Sequence, residues 1–237
     1  MSKIDPVSPP QPAGDVGSYS CYVDKDKQLY EAVWKDTMAY PDFTHTPLRR
    51  VDLGAEAAAV WSKSSSLDFG SGGFVRRFDK GAFPVVKIAH PNRTSRMQIQ
   101  HEFEFVRQMA GFEGMFKVDP EPLKDADGIF GFRSEQLAKI DMDKVKAKGH
   151  EVRKIVERLH AKGYCHGDLN PSNVMVNERG EVVLIDFTFS GIIRQPVGAH
   201  VPNWVYRKET YDKEVDDQAL ERYFVVKVLA GKQLASA

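Results

Sequence analysis

Apolar residues recur with helical spacing in four stretches of this chain and crowd into short strand-like runs between them. Leu29, Val33 and Trp34 fall on one side of a predicted helix over 26–39, which Pro41 closes. Ile99, Phe103, Val106 and Ala110 mark a second over 94–110, ended by Gly111. Val152, Ile155, Val156 and Leu159 form the stripe of a third over 142–162, with Gly163 as its C-terminal stop. A fourth spans 213–230 and carries Val215, Leu220, Phe224 and Val225. Strand-like pieces are RRVDL, FVRRF, PVVKIA, 118–122 and 128–133, and VMV and VVLID read as a hairpin turned by NERG. DFGSGG at 68–73 reads as a hairpin-style breaker between strands. The first half is thus strand-rich with one helix, and the second is helical with one small hairpin. They join near 135–140.

Composition narrows the options. Lys+Arg and Asp+Glu are both 33, so no global field draws the chain to nucleic acid or an anionic membrane. Residues 1–18 are rich in Pro, Ser and Gly, lack the apolar core of a signal peptide, and are expected to be disordered. No apolar run is long enough to span a membrane. Cys21 and Cys165 form neither a metal-type spacing nor a disulfide framework, so a reducing compartment, cytoplasm or nucleus, is expected. Asn92-Arg93-Thr94 matches a glycosylation sequon that carries little weight without a secretory signal.

The candidate chemistry lies in CHGDLNPSNVMVNERGEVVLIDFTFSG, residues 165–191. Asp168 sits in a loop after a predicted helix, Asn173 lies five positions on, and Asp186 ends the strand VVLID. Singly each is an ordinary turn or cap residue. Together they supply what phosphoryl transfer needs: a carboxylate for the incoming hydroxyl and two hard oxygen ligands for a metal. With no His or Cys cluster nearby, oxygen ligands favour magnesium or manganese over zinc.

HGDLNPSNVMV followed by LIDF resembles the catalytic and metal-binding segments of the protein-kinase-like superfamily, H-x-D-x-x-x-x-N and a D-F-G-type motif. That resemblance implies ATP and Mg2+, with Asp168 as catalytic base and Asn173 and Asp186 as metal ligands. It implies that Lys87 in PVVKIA contacts the phosphates and pairs with Glu102, with Glu104 ranked second. It makes LGAEAAAVW, 53–61, the nucleotide-covering loop, with Leu53, Gly54, Ala55, Glu56, Ala57 and Val60 at ATP, although only one glycine is present. Glu135 to Leu137 becomes the adenine hinge, by position. GAEA, HGDLxxSN, LIDF and KEVDDQALERYF together are most similar to the small atypical kinase subunit of the KEOPS complex, in which Asp216 would bond the catalytic-loop backbone.

Several residues depart from these patterns. Thr188 replaces the glycine of D-F-G, Asn170 the lysine that ordinary protein kinases place two after the base, and Gly167 their arginine. The stretch between Asp186 and Asp216 contains GAHVPNWVYRKETY, which matches nothing assigned. His166 and Cys165 read as structural, and Trp204 and Tyr206 as core. The expected fold is α+β and two-lobed: a disordered tail over 1–20, an extension over 21–44, a five-stranded N-lobe over 45–135, and a compact helical C-lobe over 136–237 with ATP between the lobes. The expected activity is that of a compact Ser/Thr protein kinase acting on a protein substrate or with a partner protein. A small-molecule phosphotransferase ranks second, and an ATPase or nucleotide-binding subunit of a complex third.

Overall fold

The computed structural model describes residues 3–70, 72–78, 81–203 and 205–224. The chain divides into two units. Unit 1 is Met1–Gly111, Phe116–Gln136 and Ala199–Val201, and unit 2 is Phe112–Met115, Leu137–Gly198 and Pro202–Ala237.

Unit 1 opens with β1 (Ile4–Pro6), β2 (Gln11–Pro12), β3 (Ser18–Lys25), β4 (Gln28–Lys35) and β5 (Leu48–Arg50). They form one antiparallel sheet ordered β1-β3-β4-β5, with β2 also on β3. The helix expected over 26–39 is therefore a strand. Asp26 and Lys27 both take positive φ, 53° and 60°, and Lys25 pairs directly with Gln28. That is the two-residue turn that matches strand twist, and it commits the flanking residues to a hairpin. The tail expected to be disordered over 1–20 is folded onto this sheet among the described residues. Val7 and Ser8 are buried, and the Tyr22 amide donates to Ser8 Oγ at 2.8 Å.

Helix α1 (Ala55–Ser62) leads into a second sheet, made of β6 (Ser65–Phe69), β7 (Gly73–Arg77), β8 (Val85–Ala89), β9 (Leu123–Asp125) and β10 (Gly128–Ser134). Its order is β6-β7-β8-β10-β9, antiparallel throughout, and helix α2 (Arg93–Gln108) follows β8 in the chain. Val118 makes only a bridge to Ser134, so the strand expected at 118–122 starts later. Side chains alternate across a strand, except where β10 shifts register between Ile129 and Gly131, which puts Phe130 and Phe132 on opposite faces. Phe74, Val86, Ile88 and Phe130 join Ala57 and Trp61 of α1, with Leu29 of β4 and Val7 just past β1, in one buried cluster. Val75, Lys87 and Phe132 are direct cross-strand neighbours on the alternate face. There Phe132 meets Phe103 of α2, ring centroids 6.0 Å apart. The two helices thus cover opposite faces of the second sheet.

Unit 2 holds β11 (Ala138–Lys139), α3 (Met142–Ala147), α4 (Gly149–Ala161), β12 (Tyr164–Cys165), a 3-10 turn at Pro171–Asn173, β13 (Val174–Val176), β14 (Val182–Leu184), β15 (Gly191–Ile192) and α5 (Glu214–Tyr223). Val152, Ile155, Val156 and Leu159 of α4 are buried, as their period predicts. The helix expected over 142–162 is broken at Lys148. A Cβ at Gly149 would lie 2.2 Å from the Phe224 carbonyl oxygen, so only glycine fits where the end of α5 crosses. Small sheets β11-β13-β14 and β12-β15 accompany the helices, so this unit is mixed rather than the helical lobe expected. The fold is α+β, with several antiparallel sheets and five α-helices among the described residues. Val225 and Trp204 lie outside the described residues. No described helix is long and apolar enough to cross a membrane.

Candidate active site

Lys87 lies on the central strand β8, between β7 and β10. Its Nζ is 2.6 Å from Glu102 Oε2, and the Glu102 side chain is 1% exposed. Helix period explains the choice of partner. Ile99, Glu102, Phe103 and Val106 share the buried stripe of α2. Glu104, the competing candidate, faces outward and accepts from Gln100. Asn92 caps α2 by accepting from the Ser95 amide at 2.8 Å, which gives the sequon asparagine a structural role.

The segment expected to cover the nucleotide, 53–61, is helical over most of its length. Residues Leu53 to Trp61 lead into and form α1, with Ala57 and Trp61 buried, Val60 half-buried, and Gly54, Ala55 and Glu56 exposed. Because α1 packs on the Val86/Ile88 face, it stands on the side of the sheet away from the Lys87 side chain. A glycine-rich turn with Gly70, Gly72 and Gly73 joins β6 to β7, and β7 pairs with Lys87's strand. The Gly70 amide donates to the Gly73 carbonyl at 3.0 Å. A Cβ at Gly73 would sit 2.6 Å from the Ile88 carbonyl oxygen. The available signal was GSGG directly before a strand and one strand ahead of the lysine. At the position expected for the hinge, Glu135 Oε1 accepts from the Lys117 amide at 2.7 Å, and Leu137 is buried.

In unit 2 the loop after β12 is held from below. Asp216, fully buried on α5, accepts from the His166 amide at 2.8 Å and the Gly167 amide at 2.9 Å. His160 Nε2 is 2.9 Å from the same carboxylate. Gly167 has φ +82°, and a Cβ there would meet the Phe189 carbonyl oxygen at 2.1 Å. Arginine therefore has no place at 167. His166 is buried and structural: Nε2 lies 3.1 Å from the Ile185 carbonyl, Nδ1 accepts from the Asp168 amide, and the ring stands 4.6 Å from Phe187. Burial pushes the Cys165 thiol up to about 12, so it is no nucleophile at neutral pH.

These contacts leave Asp168, Asn173 and Asp186 gathered in one unit. Burial raises the Asp168 pKa and the Asp186 charge adds to this, while His166, Asn170 and Asn173 pull it back down. Asn173 Nδ2 donates to the Asp168 carbonyl at 2.8 Å, which reserves its amide oxygen for another partner. Asn170 Nδ2 donates to the same carbonyl at 3.1 Å. Asp186 takes φ 61° just past β14, and Thr188 Oγ1 donates to its Oδ1 at 2.6 Å. The hydroxyl at the D-F-G glycine position thus orients the carboxylate. No group of three or more His, Cys, Asp and Glu able to hold a metal occurs among the described residues. One carboxylate and one amide oxygen suit magnesium, which keeps water and takes phosphate oxygens as its other ligands.

A family model described as choline/ethanolamine kinase matches residues 95–219, just over half of the chain. The chain belongs to the choline/ethanolamine kinase family. Three curated kinases are also similar to this family member. The RIO-type serine/threonine-protein kinase Rio1 of Haloferax volcanii is 32% identical over 76 residues, 32% of this chain and 24% of that protein. The probable serine/threonine-protein kinase glkA of Dictyostelium discoideum is 24% identical over 112 residues, 47% and 22%. A probable casein kinase I homolog of Encephalitozoon cuniculi is 33% identical over 54 residues, 23% and 17%. The chain thus spans about a quarter or less of the length of these relatives. They support the protein-kinase-like superfamily and do not single out the KEOPS subunit. An ATP-dependent kinase with an alcohol acceptor is consistent with this choline/ethanolamine kinase family member and its relatives.

Proposed function

We propose that this chain transfers the γ-phosphate of ATP to the hydroxyl of a small amino alcohol. The observation that carries this reading is the Asp168 loop, which Asp216 pins and which lies wholly inside the family match. Asp168 accepts the hydroxyl proton. Asn173 and Asp186 would hold magnesium, which neutralises phosphate charge when bound. Lys87, held by Glu102, pairs with the phosphates, and the Gly70–Gly73 turn brings backbone amides toward them. Most of the rate enhancement then comes from positioning and fixed charge. Asn170 supports a small acceptor, because it takes the place of the lysine that ordinary protein kinases carry and bonds the Asp168 carbonyl instead.

A second reading, Ser/Thr protein kinase, is favoured by the three curated relatives. The deciding experiment uses labelled ATP and magnesium with choline, ethanolamine and a protein mixture in parallel. Label on a small alcohol, reduced about 100-fold or more in Asp168→Ala and Asp186→Ala, supports the first reading. Label on protein with the same dependence supports the second. Free phosphate alone points to an ATPase that works within a complex. Activity retained in both variants would overturn the site.

A further inference from the structure

The unassigned stretch between Asp186 and Asp216 sends residues 199–201 into unit 1. There His200 meets helix α2 in two ways. Gln98 Nε2 donates to the His200 carbonyl at 3.0 Å. The His101 and His200 rings lie 4.0 Å apart at an interplanar angle of 30°. Gln98 is buried, and a Cβ at Gly72 would stand 2.8 Å from its Oε1. One amide side chain therefore packs against the glycine turn and also holds the 199–201 segment. His101 and Glu102 follow one helical turn later on α2, and Glu102 makes the Lys87 ion pair.

We propose that Gln98, His101 and His200 form a clasp that positions α2, and through it the Lys87–Glu102 pair and the glycine turn. The inference rests on the phosphotransferase reading above. None of the three is assigned contact with substrate, so they are positioning residues. The Gln98 bond goes to backbone and survives any side chain at 200. The ring stack does not, and this separates the two halves of the clasp.

The test compares His200→Ala with His200→Phe, and adds His101→Ala, following amide hydrogen exchange of Arg93–Gln108 alongside ATP kinetics. A lost ring stack predicts roughly threefold to tenfold faster exchange along α2 in His200→Ala. The KM for ATP should rise by a similar factor while the KM for the alcohol stays put. His200→Phe restores the stack and should return both values to within about twofold of wild type. Unchanged α2 exchange in His200→Ala and His101→Ala overturns the clasp, as does a His200→Phe variant no better than His200→Ala. If wild type turns over no ATP, the phosphotransferase reading falls. Exchange still decides the clasp in that case, supporting it if faster and overturning it if unchanged.

Discussion

Asp168 is held where its charge is costly, and the cost has two measurable consequences. Burial, then the Asp186 charge, raises its folded-state pKa above the unfolded value. As pH rises, the unfolded chain releases this proton first. The stability contributed by the neutral carboxyl is complete below the ordinary carboxylate pKa of about 3.9 and is lost as pH rises through the raised one. Asp168→Asn keeps the site neutral at every pH. Urea unfolding at pH 7 should therefore show the variant more stable than wild type, with the gap closing as pH falls toward about 3.5. An equal or lower midpoint at pH 7 would contradict the burial argument. The same variant should lose about 10²- to 10⁴-fold in turnover, because amide cannot take a proton from the acceptor. In wild type, kcat/KM should fall as pH drops through the raised Asp168 pKa, so the acid limb should sit above the usual carboxylate range. A limb within that range would mean that Asp168 titrates as a solvated carboxylate.

Helix α5 acts on the site through one residue. Asp216 satisfies two buried backbone amides of the loop that carries Asp168, and His160 braces its carboxylate. Asp216→Ala strands both amides, at about 1–3 kcal/mol each. The expected outcome is a lower urea midpoint together with faster exchange of the His166 and Gly167 amides, and a fall in kcat larger than any change in KM. Exchange rates left as in wild type would show that the loop is held by its own turn geometry instead. At this scale the chain was unevenly legible. The α2 and α4 stripes could be seen because each buries one continuous face, and Glu102 could be ranked over Glu104 because it shares that face. The 26–39 stretch could not, because Leu29, Val33 and Trp34 fit a helix face while the deciding signal was a hairpin turn made by Asp26 and Lys27 rather than by glycine. The helix in the 53–61 stretch is not legible in the sequence, because small residues suit both a close backbone approach and a helix. Only the sheet partners of Lys87 place α1 on the other face.

At the scale of the whole molecule, the first fifty residues change what unit 1 is made of. They contribute Val7 and Leu29 to the cluster that buries Trp61 and Phe74. Their sheet also supplies the carboxylate for a buried cation. Arg76 is 1% exposed, and its guanidinium lies 3.6 Å from the centroid of the Trp61 ring. It donates from Nε to Ser64 Oγ at 2.8 Å and from Nη2 to the Trp61 and Ser64 carbonyls. Its one carboxylate among the described residues is Asp24 of β3, 3.0 Å from Nη2. Burial lowers the Arg76 pKa and the Asp24 charge opposes that shift, so removing Asp24 leaves a desolvated cation with neutral acceptors alone. Breaking a buried pair from one side costs about 3–5 kcal/mol, far more than an exposed pair is worth. Asp24→Ala should therefore lower unfolding free energy by an amount in that range, read by urea denaturation at constant slope. Adding Arg76→Met should recover part of the loss, because an apolar side chain over Trp61 needs no counter-charge. Recovery would show that the damage came from the stranded cation rather than from a lost strand. If Asp24→Ala costs under about 1 kcal/mol, within the range of exposed pairs, the three carbonyl and hydroxyl acceptors hold Arg76 unaided. The Asp24 pair would then add little to the join between the N-terminal sheet and the rest of unit 1, where Lys27 Nζ also donates to the Ser64 carbonyl at 2.8 Å.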